Sequence, residues 1–202
     1  MKKTPSKLRF ALLVVPLLFA TPAAAGLETT GATAGVRSSD VVRVLPDSIR
    51  LRMLAALLRG DVEAAIAMYQ VHTGTTEAPR WLLTFQAAFN VANRVAGPCQ
   101  QVAKDIYDGF QRLGGSPTYI RFMTVGSTRG SNLIGFEVRA GDPGSARMIT
   151  AQFMHVVVKV QDRVYDAWTG AEGLPWSDYL ARLSVSPGAQ LTWAVVNSPW
   201  AK

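Results

Sequence analysis

From Asp47 to Gly115 apolar residues recur every three or four positions, whereas from Thr118 onward they come in short runs separated by Gly, Pro, Asn and Ser. The first half therefore predicts helices. "DSIRLRMLAALLRG" sets Ile49, Met53, Leu54, Leu57 and Leu58 at helical spacing and stops at Gly60; "DVEAAIAMYQVHTG" opens on a capping Asp61 and stops at Gly74. His72 falls in the last turn of this second helix, an ordinary place for a cation or polar cap. A third helix, from Pro79 to about Val95, puts Leu82, Phe85, Phe89 and Ala92 on one face and carries no basic stripe on the other, which marks a core helix. The fourth, "GPCQQVAKDIYDGFQRLGG", has Gly97-Pro98 as its start signal and two glycines as its stop.

The second half predicts strands. "TYIRFMTVG", "SNLIGFEVRA", "ITAQFMHVVVKV", "RVYDAW" and "QLTWAVVN" are rich in β-branched and aromatic residues, and one more helix, "LPWSDYLARL", precedes the last of them. Helices first and strands after, without regular βαβ alternation, is the order of an α+β fold. An antiparallel sheet is expected beneath the helices.

The N-terminal end of the chain changes the picture of where it works. Lys2, Lys3, Lys7 and Arg9 precede an apolar run from Phe10 to Ala20, and Ala23-Ala24-Ala25 offers a small-residue cleavage site, so residues 1–25 read as a signal peptide. The apolar run is shorter than the roughly 20 residues a membrane span needs, and the mature form is expected to be secreted or periplasmic with no span. Residues 26–46, rich in small and polar residues, read as a flexible arm; 47–95 form a helical N-terminal region and 96–202 the core that carries the candidate chemistry. Taking four basic leader residues from the formal charge of +7 leaves +3, with no basic run, and nucleic acid is not expected as a partner.

Cysteine usage raises the chemical question. Exported domains usually pair their cysteines, but Cys99 is the only one in the chain, so it is either buried and inert or kept for its chemistry. It lies in the first turn of the fourth helix, where the helix dipole favours a thiolate. It also shares a face with Val102, Ile106, Phe110 and Leu113, which must pack on the sheet, while Lys104, Asp105, Asp108 and Arg112 point away.

One histidine stands on a strand that such a helix would meet. If "MHVVVKV" and "RVYDAW" pair across a two-residue turn at Gln161-Asp162, Val158 faces Tyr165 and Val157 faces Asp166, so His155 and Asp166 share a face as diagonal neighbours. A three-residue turn would separate them. Cys99 as nucleophile, His155 as base and Asp166 as orienting acid are then the parts of an acyl-transfer site. The Cys99 backbone N–H is the obvious oxyanion donor, and Asn93, Gln86, Gln100 and Gln101 compete as side-chain donors. The plainer reading makes His155 a hydrogen-bonded core residue and Asp166 the start of the turn at "DAWTG". Trp168, Trp176 and Trp193 read as core or rim aromatics, Trp168 being the one placed to line a cleft at His155. No metal-ligand spacing or phosphate loop is present, and no cofactor is expected.

The segments "GPCQQVAKDIYDGF" and "MHVVVKVQDRVYDAWTGAEGLPWSDYLARL" resemble the papain-like fold toxin domains of bacterial polymorphic toxins and effectors, in which a helix-borne Cys is followed by "HVVV", "VYDAxTG" and a closing "DYL" helix. The resemblance spans about half the chain, from Asn93 to Leu183. It implies a papain-like catalytic core, a Cys99-His155-Asp166 triad, and a cysteine peptidase, glutamine deamidase or transglutaminase-like activity. The substrate would be a protein or peptide, and an immunity or inhibitor protein would be the partner. The chain departs from the pattern in carrying its own leader and in having Gln100 after the cysteine. Two other readings stand beside a secreted toxin or effector: a periplasmic peptidoglycan peptidase of the same superfamily, whose usual Asp-Cys-Ser-Gly type motif is missing here, and a non-catalytic secreted binding protein that keeps the fold.

Overall fold

A computed structural model describes residues 45–126, 133–150 and 154–201. The expected leader and all but the last two residues of the expected arm lie outside the described residues, as do the first two residues of "SNLIGFEVRA" and 151–153 of "ITAQFMHVVVKV". Leu45, at the end of the expected arm, is buried in the core.

Four helices come first: α1 (Asp47–Leu58), α2 (Val62–Thr73), α3 (Arg80–Ala88) and α4 (Cys99–Arg112). Asp61 caps α2 by accepting the Ala64 N–H at 3.0 Å, and Gly74 closes it in the left-handed conformation at φ 68°, as the start and stop signals predict. The third helix is shorter than its periodicity suggests. It ends at Ala88, and the chain re-forms as one 3₁₀ turn at Val91–Asn93, because Asn90 leaves helical φ/ψ and accepts the Ala92 N–H on its own side chain.

Strands follow: β1 (Thr118–Val125), β2 (Ile134–Glu137), β3 (Ala146–Met148), β4 (Met154–Val160), β5 (Arg163–Tyr165) and β6 (Leu174–Pro175), then α5 (Trp176–Ala181), β7 (Leu183–Val185) and β8 (Gln190–Val196). The fold is mixed α+β. Five strands form an antiparallel sheet in the order β6-β5-β4-β1-β8, and three short ones form a second sheet, β3-β2-β7, that the residue pattern did not predict. β2 falls in the predicted run "SNLIGFEVRA", whereas β3 and β7, of three residues each, carry too little alternation to be read as its partners.

The central sheet is covered on both sides, which explains the run Val156-Val157-Val158 on β4. Val156, Val158 and Val160 pack with α1 to α4 residues such as Leu57, Phe85, Ile106 and Phe110. Val157 packs instead with Ile120, Phe122, Ile134, Phe136 and Tyr179, on the side of the small sheet and α5. Because strand side chains alternate, His155 projects to the Val157 side.

The predicted face of α4 is the buried one, with Val102, Ile106, Phe110 and Leu113 all nearly inaccessible. Gly109 lets α4 approach α3: a Cβ there would stand 2.3 Å from Cδ2 of Phe85, whose ring is edge-on to Phe110 at 5.2 Å. Gly109→Ala is expected to destabilise the fold by about 1–2 kcal/mol, since overpacking outweighs the gain in helix propensity. Urea denaturation measures it, and a stabilised variant would mean that Phe85 can swing clear.

Candidate functional site

Three local features deliver the site residues. The β4–β5 hairpin closes with a two-residue turn at Gln161 and Asp162, Gln161 taking a φ of 54°, and the register pairs Val160 with Arg163 and Val158 with Tyr165. The even turn places His155 and Asp166 on one face, as the alternation requires. Asp166 lies just past the end of β5, where its Oδ1 accepts the N–H groups of Trp168 and Thr169, both at 2.8 Å. It therefore starts the "DAWTG" turn and also faces the histidine.

His155 Nε2 and Asp166 Oδ2 are 2.9 Å apart, and both residues are about 2% exposed. Tyr179, from α5, donates its hydroxyl to the same Oδ2, also at 2.9 Å. The carboxylate thus takes four donors, two on each oxygen. Neither Tyr179 nor the buried web it completes was legible from residue spacing, because the phenol reaches Asp166 from another layer of the fold. Arg94 was also missed. Its Nε donates to the Ala167 carbonyl at 3.0 Å, tying the segment that leads into Cys99 to the turn that holds Asp166.

Cys99 is the first residue of α4, after Pro98 as N-cap, so the helix begins directly after the Gly97-Pro98 start signal. The thiol is half-buried. The body of α4 lies on the sheet face opposite His155, so the helix cannot present its cysteine by simply lying over the histidine. The meeting occurs around the end of β5 instead: β4 pairs with β5 only from Val158 onward, which leaves the Met154–Val157 stretch without a partner on that side. The Val156 N–H, unclaimed there by a strand, acts on the Cys99 sulfur together with the Gln100 N–H.

Electrostatics couples the three residues. Burial alone would push the imidazole down and both acids up. Against that, Asp166 and Cys99 raise the His155 pKa to about 9, while His155 and the Thr169 N–H, with Tyr179, hold Asp166 below its usual range. For Cys99 the imidazole and the Val156 and Gln100 N–H groups overcome desolvation, and the thiol pKa is lowered. Nε2 is occupied by Asp166, so Nδ1 is the ring nitrogen left for the thiol. Nδ1 is buried and makes no aligned hydrogen bond among the described residues, although the sulfur is near enough to couple to the ring.

No family model, curated protein or solved structure matches the chain. Its chemistry must be read from this geometry. Among the described residues no helix is long and apolar enough to cross a membrane.

The oxyanion candidates separate clearly. Asn93 Nδ2 donates to the Ala87 and Ala88 carbonyls at the end of α3, Gln100 Nε2 to the Pro199 carbonyl at 3.0 Å, and Gln101 Nε2 to Asp105 at 2.8 Å. Gln86 is exposed and lines a cavity of about 550 Å³ with Asp61, Glu63 and Asn90, a cavity whose lining includes neither Cys99 nor His155. Of the first-turn N–H groups of α4, that of Gln100 acts on the Cys99 sulfur, and those of Cys99 and Gln101 receive no side-chain cap from Pro98. Trp168 is half-buried and tilted against Phe136 at 6.3 Å, while Trp176 and Trp193 meet edge-on at 5.3 Å beside Phe122. His72 is exposed in the last turn of α2.

Proposed function

We propose that the protein is an exported papain-like thiol hydrolase that acts on an amide bond of a protein or peptide, as a peptidase or a glutamine deamidase, in the manner of a secreted toxin or effector. The observation that carries this reading is a buried imidazole–carboxylate pair coupled to the chain's sole thiol, which alone of the three opens to solvent. A residue set used only for packing has no need of a half-exposed cysteine with a lowered pKa beside a raised histidine. A sealed Cys99 would have favoured the non-catalytic binding protein.

The steps follow from the positions. Cys99 Sγ, as thiolate, attacks the carbonyl carbon, and the charge that develops on oxygen is met by the N–H groups at the start of α4. The imidazolium gives its proton to the departing nitrogen, which leaves as an amine from a peptide bond or as ammonia from a glutamine side chain. Neutral His155 then takes a proton from water as that water attacks the thioester. The carboxylic acid product departs and gives its proton to solvent, and the thiolate and imidazolium are restored. Asp166 keeps the ring oriented and stabilises its positive form throughout.

The test is to incubate the protein with a glutamine-rich protein and with peptidoglycan fragments, following new termini, released amine and ammonia. Wild type is expected to release ammonia or new termini from the protein substrate, and Cys99→Ala to lose that activity by about a thousandfold or more. Activity confined to peptidoglycan would move the protein to the cell-wall peptidase reading. Equal activity of the two forms would end the thiol mechanism.

A further inference from the structure

Among the described residues, Tyr179 is the buried hydroxyl on the His155–Asp166 pair that the mechanism above does not use. It is fully buried, its ring is held between Phe122 at 5.8 Å and Phe136 at 5.4 Å, and its oxygen has Asp166 Oδ2 as its hydrogen-bond partner. The helix that carries it has only six residues and is set between β6 and β7, so the phenol reaches Asp166 from the second core, which it shares with Val157 and Val164 of the hairpin. Two donors from different layers therefore converge on a single oxygen.

We propose that Tyr179 is a positioning residue of the catalytic pair, whose hydroxyl shares Asp166 Oδ2 with His155 and so limits how strongly the carboxylate holds the imidazolium proton. This rests on the reading of Cys99 and His155 as a nucleophile–base pair. The physical reason is competition for one acceptor. A carboxylate oxygen that serves two donors is a weaker base toward each than one that serves a single donor. A base that must release its proton to the departing nitrogen and then take another from water works best when its acid form is neither too strong nor too weak. With Oδ1 saturated by two backbone N–H groups, the tuning falls on Oδ2, and Tyr179 is its only donor besides the histidine among the described residues. The titratable groups that act on the imidazole are Asp166 and Cys99, and the same two act on the phenol.

The chain contains two histidines, so ¹³C-labelled imidazole NMR resolves the titration of His155 with exposed His72 as an internal control. Tyr179→Phe removes one oxygen and keeps the ring packing. The expected result is an upward move of the His155 step by roughly half a unit to one unit, with His72 unmoved. Placing 3,5-difluorotyrosine at position 179 keeps a folded core and makes the hydroxyl a stronger donor, and it should move the step the other way. A His155 titration unchanged or lowered in Tyr179→Phe, or moved the same way by both variants, overturns the proposal. The parent reading is tested separately by the effect of His155→Ala on Cys99 alkylation: if that substitution changes nothing, the pair itself fails whatever Tyr179 does.

Discussion

Replacing Asp166 with alanine is expected to cost about 3–5 kcal/mol of folding stability, the range for removing one partner of a buried charged pair. The loss exceeds that of a single hydrogen bond because four donors lose their acceptor together: His155 Nε2, the Tyr179 hydroxyl and the Trp168 and Thr169 N–H groups. The cost should depend on pH. Asp166 is held below its usual range, so its contribution is present above the unfolded value near 4 and fades as pH falls through the folded one. His155 is raised to about 9, so its contribution is complete below the unfolded value near 6.5 and is lost as pH rises toward 9. The gap between wild type and variant should thus be widest between about pH 4 and 6.5. Denaturation midpoints across pH 4 to 10 measure it. A gap that keeps its size through pH 9 would mean that the pair is not an ion pair in the folded protein.

The second large effect is on thiol reactivity. Cys99 should react with iodoacetamide at pH 6.5 faster than an unperturbed thiol, and His155→Ala should remove most of that advantage. About 1% of a thiol with pKa 8.5 is ionised at that pH, so a fully formed thiolate gains up to about a hundredfold in nucleophile concentration. A low-pKa thiolate is intrinsically less nucleophilic, which brings the net advantage to about tenfold. The Val156 and Gln100 N–H groups still act on the sulfur without the imidazole, so a small part of the advantage should survive in the variant. Equal rates in wild type and variant would show that the sulfur and the ring do not communicate.

The site opens to solvent on one side. His155, Asp166 and Tyr179 are sealed beneath the second sheet and its aromatic residues, and Cys99 opens to solvent at the helix start. Proton exchange within the pair therefore takes place away from bulk water, where the Coulombic coupling is stronger. The Gln100 side chain is spent on the C-terminal segment through the Pro199 carbonyl, and the residue after the cysteine has a structural role in this chain.

Much of the site was legible because its parts obey local rules. Strand alternation and an even turn are enough to bring His155 and Asp166 together, and Pro98 followed by an amphipathic run is enough to start a helix at Cys99. Periodicity likewise specified α1 and α4, and the capping Asp61 and closing Gly74 specified α2. The extent of α3 was not legible, because Asn90 satisfies a backbone N–H with its own side chain and so offers the chain an alternative to continuing the helix.

What the amino-acid order determined by itself is the succession of elements and the pairing of residues within a hairpin, where a few dihedral angles and the pleat decide the outcome. Only the tertiary structure decided which sheet face His155 occupies, that Cys99 meets it around the end of β5, and that Tyr179 and Arg94 complete the surroundings of Asp166. The physical reason is that such contacts depend on how separately stable layers pack. Two cores on opposite faces of one sheet bring together residues whose local sequence carries no trace of the meeting.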